Sequence, residues 1–347
     1  MSRVALLMTC VAAACLGVAY LASGAEGPTL APRAPILIPR APGYFDYMQV
    51  DDQYRRLLVA HTASRTLDVI DLTNDSLARQ VLVGEAHGIA IDIKDGRYFV
   101  GSGRPSLVVD VQRKFMVKQN DVPMPGPIDA VAFDTKNGAV YADRSDTGQI
   151  VVIDAKTHRM LANIQVGDRL EYILYDPVSD RIYQNVTASN QVAVIDPAKN
   201  TVVATWPAAP AQALRGLAVD GPTHRLFVAG ANGKLDAIDT TTGAIFATAD
   251  IAPGVDQIAF DPVLKRVYCA SGTGLLSVVA ETDSGITPLG DITVPRHAHT
   301  LAIDPHTHNV WISYGSEDND YVMKLVQVIP SPSPSPAIIP SPSPSAS

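Results

Sequence analysis

Short apolar strands that end in Asp recur at regular intervals along this chain. A turn follows each Asp, and a second strand then opens with a small or basic residue before a large apolar side chain, as in residues 258–262 and 266–268. Successive aspartates are separated by 41, 42, 42, 44, 41 and 43 residues. A period of about 40–45 residues with several short strands per unit is typical of a β-propeller blade. The seven residues, which we call the marker aspartates, are Asp51, Asp92, Asp134, Asp176, Asp220, Asp261 and Asp304.

The pattern of apolar and polar residues between turns predicts four strands in each repeat. In the third repeat these strands are residues 130–134, 139–142, 149–154 and 160–166. The seventh repeat has only three such strands before residue 330, and an apolar stretch at residues 35–39 precedes the first repeat. Because an open sheet edge invites unwanted pairing, we predict that this stretch completes the last blade. The fold class is therefore an all-β, seven-bladed β-propeller with four-stranded blades, the last closed by an N-terminal strand.

Residues 1–25 have the features of a Sec-type signal peptide. Arg3 is followed by an apolar run over residues 4–21 and by small residues at 22–25. We expect a bacterial protein that is periplasmic, secreted or part of the cell envelope, with no transmembrane segment after cleavage. An uncleaved membrane anchor and a lipoprotein signal at Cys15 are the alternatives.

The rest of the chain divides into three regions. Residues 26–41 carry the closing strand, residues 42–329 form the propeller, and residues 330–347 are a tail rich in Ser and Pro. Proline at this density favours an extended chain without a core, so the tail is predicted to be a disordered spacer. A glycosylated stalk and a cell-envelope contact are alternative roles for it.

Net charge and cysteine content limit the classes of partner and the covalent links that we expect. The net charge is −8 and no run of Lys and Arg occurs, so we expect no nucleic acid partner. After signal cleavage Cys269 is the one remaining cysteine, which excludes an intramolecular disulfide. We expect a monomer.

The repeat resembles that of the YVTN-type, YncE-like seven-bladed propeller proteins. The resemblance rests on residues 58–71, which read Leu-Val-Ala-His-Thr-Ala-Ser-Arg-Thr-Leu-Asp-Val-Ile-Asp, and on related segments at 189–196 and 164–167. It covers about residues 42–328. It implies an exported β-propeller, usually without an assigned reaction.

The marker aspartates are predicted to be structural, because Asp at the end of a strand caps the following turn. The other end of each inner strand offers better candidates for a site. Five residues before each marker stands an ionisable residue, although charged residues make up only 18% of the chain. By symmetry these seven residues should form a ring around one mouth of the central channel, and we call them the ring residues. They are Asp46, His87, Asp129, Glu171, Arg215, Asp256 and His299.

Two interpretations of the ring residues remain open. His299, Asp46 and His87 come from three consecutive blades, and two His with one carboxylate are a usual ligand set for Zn²⁺ or non-haem Fe²⁺. Alternatively the ring neutralises itself, with Arg215 between two acids and each His beside a carboxylate. His61, in a loop on the same face, is predicted to join the ligand-binding surface.

These features predict an exported binding or scaffold module, non-catalytic, that binds a small ligand or an envelope partner at the channel mouth. The chain has no Gly-x-Ser-x-Gly, no phosphate-binding Gly loop and no His-Glu-x-x-His. The alternative is a metal-dependent lyase or hydrolase, in which Asp129 or Glu171 acts as base. A surface-layer scaffold is a third possibility, suggested by the Ser-Pro tail.

Overall fold

The structure is a computed structural model that describes residues 30–39 and 43–328 of the chain. Its strands form seven antiparallel sheets, and the innermost strands of consecutive sheets contact one another in a closed ring. The predicted all-β, seven-bladed propeller is thus confirmed. The predicted signal peptide and Ser-Pro tail lie outside the described residues. No helix in the described part of the chain is long and apolar enough to cross a membrane.

Two short strands come before blade 1 in the chain. They are β1 (Leu30–Pro32) and β2 (Ile36–Ile38). Blade 1 contains β3 (Met48–Asp51), β4 (Arg56–His61), β5 (Thr66–Asp71) and β6 (Ser76–Leu82). Blade 2 contains β7 (Ala86–Asp92), β8 (Arg97–Ser102), β9 (Leu107–Gln112) and β10 (Val117–Pro123). Blade 3 contains β11 (Val131–Asp134), β12 (Ala139–Arg144), β13 (Gln149–Asp154) and β14 (Met160–Gln165).

The last four blades follow in the same order. Blade 4 contains β15 (Leu170–Asp176), β16 (Arg181–Val186), β17 (Gln191–Asp196) and β18 (Thr201–Pro207). Blade 5 contains β19 (Leu214–Asp220), a 3₁₀ turn (Gly221–Thr223), β20 (Arg225–Gly230), β21 (Lys234–Asp239) and β22 (Ile245–Asp250). Blade 6 contains β23 (Val255–Asp261), β24 (Arg266–Ser271), β25 (Leu275–Thr282) and β26 (Gly285–Thr293). Blade 7 contains β27 (Thr300–Ile303), β28 (Val310–Gly315) and β29 (Asp320–Gln327).

The hydrophobic core lies between the blades. The middle strands, such as β4 and β5, are buried along nearly their whole length, because each blade is packed between two others. Strands covered on both faces are continuous apolar runs, which is the pattern seen here. The outermost strands have one face in solvent, and β18 alternates between exposed and half-buried positions. Each hydrophobic cluster therefore joins two neighbouring blades, as where Tyr141 of blade 3 shares a cluster with Ile182 of blade 4.

Both N-terminal strands close blade 7 by pairing with the outer edge of β29. Ile36 is opposite Val322, which confirms the predicted closing strand. The structure adds β1, whose Leu30 is opposite Gln327 at the far end of the same edge. No pattern in the sequence indicated β1, because three residues that end in Pro show neither an alternating pattern nor a complete set of backbone donors.

A buried cluster of side chains fastens blade 1 to blade 7. His61 has no exposed surface, and its Nδ1 lies 2.9 Å from Asp68 Oδ2 while its Nε2 lies 2.8 Å from Asp320 Oδ2. Thr66 donates to the other oxygen of Asp68, and the backbone N–H of Gly43 donates to Asp320 Oδ1. We call these residues the closing cluster. Its two buried carboxylates are tied to one imidazole, so the first and last blades depend on each other.

The marker aspartates are structural, as predicted. All seven are at most 3% exposed. In six of them a side-chain oxygen accepts a backbone N–H from the following turn, as Asp176 does from Val178. The exception is Asp220, which precedes the 3₁₀ turn and accepts instead from Lys265 of blade 6. These contacts fix the turn between the first and second strands of each blade.

Closure by β2 makes Ile38 and Leu37 respond differently to truncation. Ile38 is 1% exposed in the cluster that joins blades 1 and 7, whereas Leu37 is 52% exposed. We expect Ile38→Ala to cost about 2–5 kcal/mol of unfolding free energy, as for a large buried side chain. Leu37→Ala should change it by less than about 0.5 kcal/mol. Urea unfolding followed by Trp fluorescence measures both, and equal destabilisation would contradict closure through this strand.

Candidate functional site

The structure brings all seven ring residues to one end of the inner strands. Each is half-buried, and most contact a ring residue of an adjacent blade. On one side His87 Nδ1 lies 2.5 Å from Asp46 Oδ2 and 3.5 Å from Asp129 Oδ1. The side chains of blades 1, 2 and 3 therefore form one connected group, with the imidazole between two carboxylates.

The other side of the ring is a second connected group. Arg215 Nη1 lies 2.5 Å from Glu171 Oε1 and 3.8 Å from Asp256 Oδ1. His299 Nδ1 in turn lies 2.7 Å from Asp256 Oδ2. Blades 4 to 7 are thus linked by alternating acid and base, as the self-neutralising interpretation expects.

The basic ring residues share one direction of pairing. His87, Arg215 and His299 each make their shortest contact with the carboxylate of the preceding blade. Because all inner strands have the same orientation, these three side chains approach the same side of their own blades. The sequence order shows which ring residues are adjacent. The direction in which each side chain points decides which adjacent carboxylate it contacts.

This direction of pairing changes which three residues could bind a metal ion. The sequence suggested His87, His299 and Asp46. In the structure the ligand atoms of Asp46, His87 and Asp129 lie within 4.8 Å of one another, while His299 is held by Asp256. One imidazole and two carboxylates remain a suitable ligand set for a divalent cation such as Zn²⁺. We call these three residues the acidic triad.

A cavity of about 420 Å³ adjoins the acidic triad. His87 and Asp129 form part of its lining, and Tyr44, Glu85 and Arg104 form much of the rest. A cavity of this size suits a small ligand. Tyr44 and Glu85 were missed from the sequence, although both stand seven residues before a marker aspartate, because the residues at this offset share no chemistry from one repeat to the next. Their position two residues before Asp46 and His87, on the same face, was the signal available.

The channel itself is narrow beneath the ring. The rings of Tyr47 and Tyr172 pack with their centroids 5.1 Å apart. A cavity of about 10 Å³ remains between them and the ring residues, enough for about one water. At this mouth the cavity beside the acidic triad is therefore far larger than the space next to the paired tyrosines.

Burial and crowding perturb the carboxyl groups of the ring. Burial, together with the charges of Asp46 and Glu171, raises the pKa of Asp129 to about 8. Burial also raises the pKa of Glu171 to about 7, although Arg215 opposes the shift. Directly behind the ring, burial and the charge of Asp129 raise the pKa of Asp143 well above its usual range. The ring residues hold more negative charge than Arg215 can neutralise.

The two histidines respond to the same excess of negative charge. Burial lowers the pKa of His87, but the hydrogen bond to Asp46 and its charge outweigh burial, so that the pKa is raised. The pKa of His299 is raised in the same way, by Asp256 against burial. Protons or a bound cation relieve this excess, and both histidines favour the charged form.

His61 does not line the mouth. The sequence placed it in an exposed loop among ligand-binding residues, but its side chain is fully buried in the closing cluster. His61 is the last residue of β4, so the loop begins only after it. Its role in the structure is to join blades 1 and 7.

Comparison with known proteins supports the fold alone. No family model matches the chain, and no curated protein matches it. Among solved structures, a chain in a crystal structure of the mitotic checkpoint complex has a TM-score of 0.75 at 15% identity, covering 94% of this chain and 99% of that one.

Two further solved structures give the same result. A chain of the hydrazine synthase of Kuenenia stuttgartiensis has a TM-score of 0.72 at 13% identity, covering 84% of this chain and 97% of that one. The structure of U3-55K gives 0.72 at 10% identity, covering 86% and 100%. Together these likenesses support the seven-bladed β-propeller fold of this protein.

The raised pKa of Asp129 makes stability depend on pH. A carboxyl whose pKa is higher in the folded state contributes stability below its unfolded pKa, and the contribution is lost as pH rises through about 8. The raised pKa values of His87 and His299 act in the same direction. In chelator-treated protein, we expect the melting temperature to fall between pH 5 and pH 8.5.

Asp129→Asn should reduce this fall and raise the melting temperature at pH 8. The matched control is Asp168→Asn, an exposed carboxylate, which should leave the slope unchanged. Differential scanning calorimetry at a series of pH values measures the slope. A slope that Asp129→Asn leaves intact would contradict the origin assigned to it.

Proposed function

We propose that this protein is an exported binding module that binds a small ligand at the ring mouth with the help of a divalent cation. The observation that carries the proposal is the 420 Å³ cavity bordered by two members of the acidic triad. Ligand sites in proteins are concave, of this volume, and marked by a few convergent polar groups. The remaining ring residues pair among themselves and leave the triad as the group free to take a cation.

The cavity lining supports a polar ligand. Arg104 and Tyr44 can donate hydrogen bonds to an oxygen-rich molecule in the cavity, while a cation held by the acidic triad would bind the same molecule. Glu85 Oε2 lies 4.0 Å from Arg104 Nε. A carboxylate- or hydroxyl-bearing small molecule meets these requirements best.

Family, location and partners complete the proposal. The repeat motifs favour the YVTN-type, YncE-like propellers within the wider class of seven-bladed propellers. The signal-like residues 1–25 favour export to the periplasm, the cell envelope or the medium. The module would act as a monomer, on a small ligand or an envelope protein, without nucleic acid.

Cation binding can be measured on the full mature chain with Zn²⁺ alone. After chelator treatment, isothermal titration should show one equivalent of Zn²⁺ bound by the wild type. His87→Ala removes a triad ligand and should weaken the affinity by at least about tenfold. His297→Ala is the control, because His297 is exposed beside the ring and belongs to neither ligand set.

A third variant separates the two ligand sets. His299→Ala should leave Zn²⁺ affinity nearly unchanged if the acidic triad binds the cation. A loss equal to that of His87→Ala would support the set of His87, His299 and Asp46 instead. Absence of stoichiometric binding by the wild type would overturn the proposal.

The second candidate is a metal-dependent hydrolase or lyase at the same mouth. It is favoured by one observation, that Glu171 has a pKa of about 7, where a carboxylate can act as a general base. With Asp129 in the acidic triad, Glu171 remains as the base suggested by the sequence. Against it, Glu171 is engaged by Arg215 and does not line the 420 Å³ cavity.

The enzyme candidate predicts metal-dependent turnover. Zn²⁺-loaded protein should hydrolyse p-nitrophenyl esters or phosphates faster than chelator-treated protein, and Glu171→Gln should lower the rate by about 100-fold. Asp168→Asn should leave it unchanged. Equal rates with and without Zn²⁺ across the panel would leave the binding module as the better description.

A further inference from the structure

On the face opposite the ring, nearly every marker aspartate is satisfied by a side chain as well as by its turn. The donors come either from the same turn or from an adjacent blade. The pairs are Arg113 with Asp51, Asn137 with Asp134, Ser179 with Asp176, Lys265 with Asp220, His308 with Asp261 and Arg55 with Asp304. Four of these six donors are basic side chains that reach from another blade.

Asp92 in blade 2 is the exception. Its Oδ1 accepts the backbone N–H of Asp95 at 3.0 Å, but its Oδ2 is buried and has no donor among the described residues. Asp92 is only 1% exposed, so bulk water does not compensate. A buried carboxylate oxygen without a partner is costly, and a ligand that supplies a donor would be favoured.

The sequence around Asp92 removes both of the usual donors. The position three residues after the marker, which carries the donor in Asn137 and Ser179, is here the acidic Asp95. The basic side chain that reaches back from the next blade stands four residues after that blade's marker, as in Lys265. In blade 3 this position is Gly138, and a Cβ placed there would meet nothing within 4 Å.

A cavity of about 410 Å³ adjoins Asp92, Asp95 and Gly138. It lies between blades 2 and 3 and is lined by Asp92, with Ile91 and Phe133 as its apolar wall. The lysines at its rim have other positions or partners. Lys156 pairs with Asp95 at 3.2 Å, Lys136 pairs with Asp180 of blade 4, and Lys94 is exposed in the turn that follows Asp92.

We propose that this cavity binds an organic cation, a guanidinium or primary ammonium group on a short apolar stem, with Asp92 as its anionic partner. The chain itself supplies such a group to Asp304 through Arg55 and to Asp220 through Lys265. The bound cation would take the equivalent place beside Asp92. Phe133 and Ile91 would contact the stem, and an aromatic face also attracts a cation. A free small molecule and an Arg or Lys side chain of a peptide share this chemistry.

Titration calorimetry on the full mature chain tests the site with agmatine and with the peptide acetyl-Gly-Arg-Gly-amide. Agmatine should bind the wild type, and the neutral analogue N-butylurea should not. Asp92→Asn should weaken agmatine binding by about tenfold or more, because a charge-assisted hydrogen bond is lost. The matched control Asp176→Asn alters the same position in blade 4, away from the cavity, and should have no effect. Tighter binding of the peptide than of agmatine would identify a polypeptide as the source of the cation.

Gly138→Lys provides an independent measurement. Gly138 has φ of 67°, and Arg55, Lys265 and His308 adopt similar values of 50°, 52° and 58° at the same position. The new ammonium should occupy the site, raise the melting temperature and abolish agmatine binding. The gain in melting temperature should disappear when Asp92→Asn is also present.

Three outcomes would overturn the proposal. The first is the absence of binding by either probe at about 10 mM, where sites of even millimolar affinity are detected. The second is agmatine binding that neither Asp92→Asn nor Gly138→Lys alters. The third is stabilisation by Ca²⁺ or Mg²⁺ in place of agmatine, which would identify a metal site.

Discussion

Closure of the ring of blades is the constraint on which the rest of this structure depends. Each blade buries its middle strands only by packing between two others, so the first and last blades must meet. Two elements join them, namely pairing of β1 and β2 with β29 and the closing cluster of His61, Asp68 and Asp320. Breaking a buried charged group of this kind typically costs about 3–5 kcal/mol, because the remaining charges lose their partners. The ring residues come from seven different blades and are neighbours only while this closure holds.

The two faces of the propeller handle charge in different ways. On the marker face, buried carboxylates are matched one by one with turn donors and with basic side chains of adjacent blades. On the ring face, four carboxylates share one Arg and two His, and the resulting excess of negative charge raises the pKa of Asp129 and Glu171. On the ring face this excess of charge makes stability sensitive to protonation.

In a fold built from repeats, a position where one blade differs from the others is informative. The marker position recurs seven times, so the lack of a donor at Asp92 stands out against six satisfied copies. The ring position recurs equally often, yet no two adjacent blades carry the same residue there. Likeness to solved propellers at 10–15% identity supports the fold alone. Function in such a scaffold lies where the repeats differ, because the shared residues are committed to packing and turns.

The sequence by itself determined the number of blades, the strands within each repeat, the closing stretch at residues 35–39 and the membership of the ring. All of these follow from local periodicity, since strand alternation and turn chemistry act over a few residues. Only the tertiary structure decided that His87 joins Asp129, that His299 turns to Asp256 and that His61 is buried against Asp320. These pairings depend on the direction in which side chains point towards an adjacent blade. They join residues that are more than 40 positions apart in the chain. The spacing of the repeats determines which residues lie in adjacent blades. Side-chain packing in the folded protein determines which of those residues are in contact.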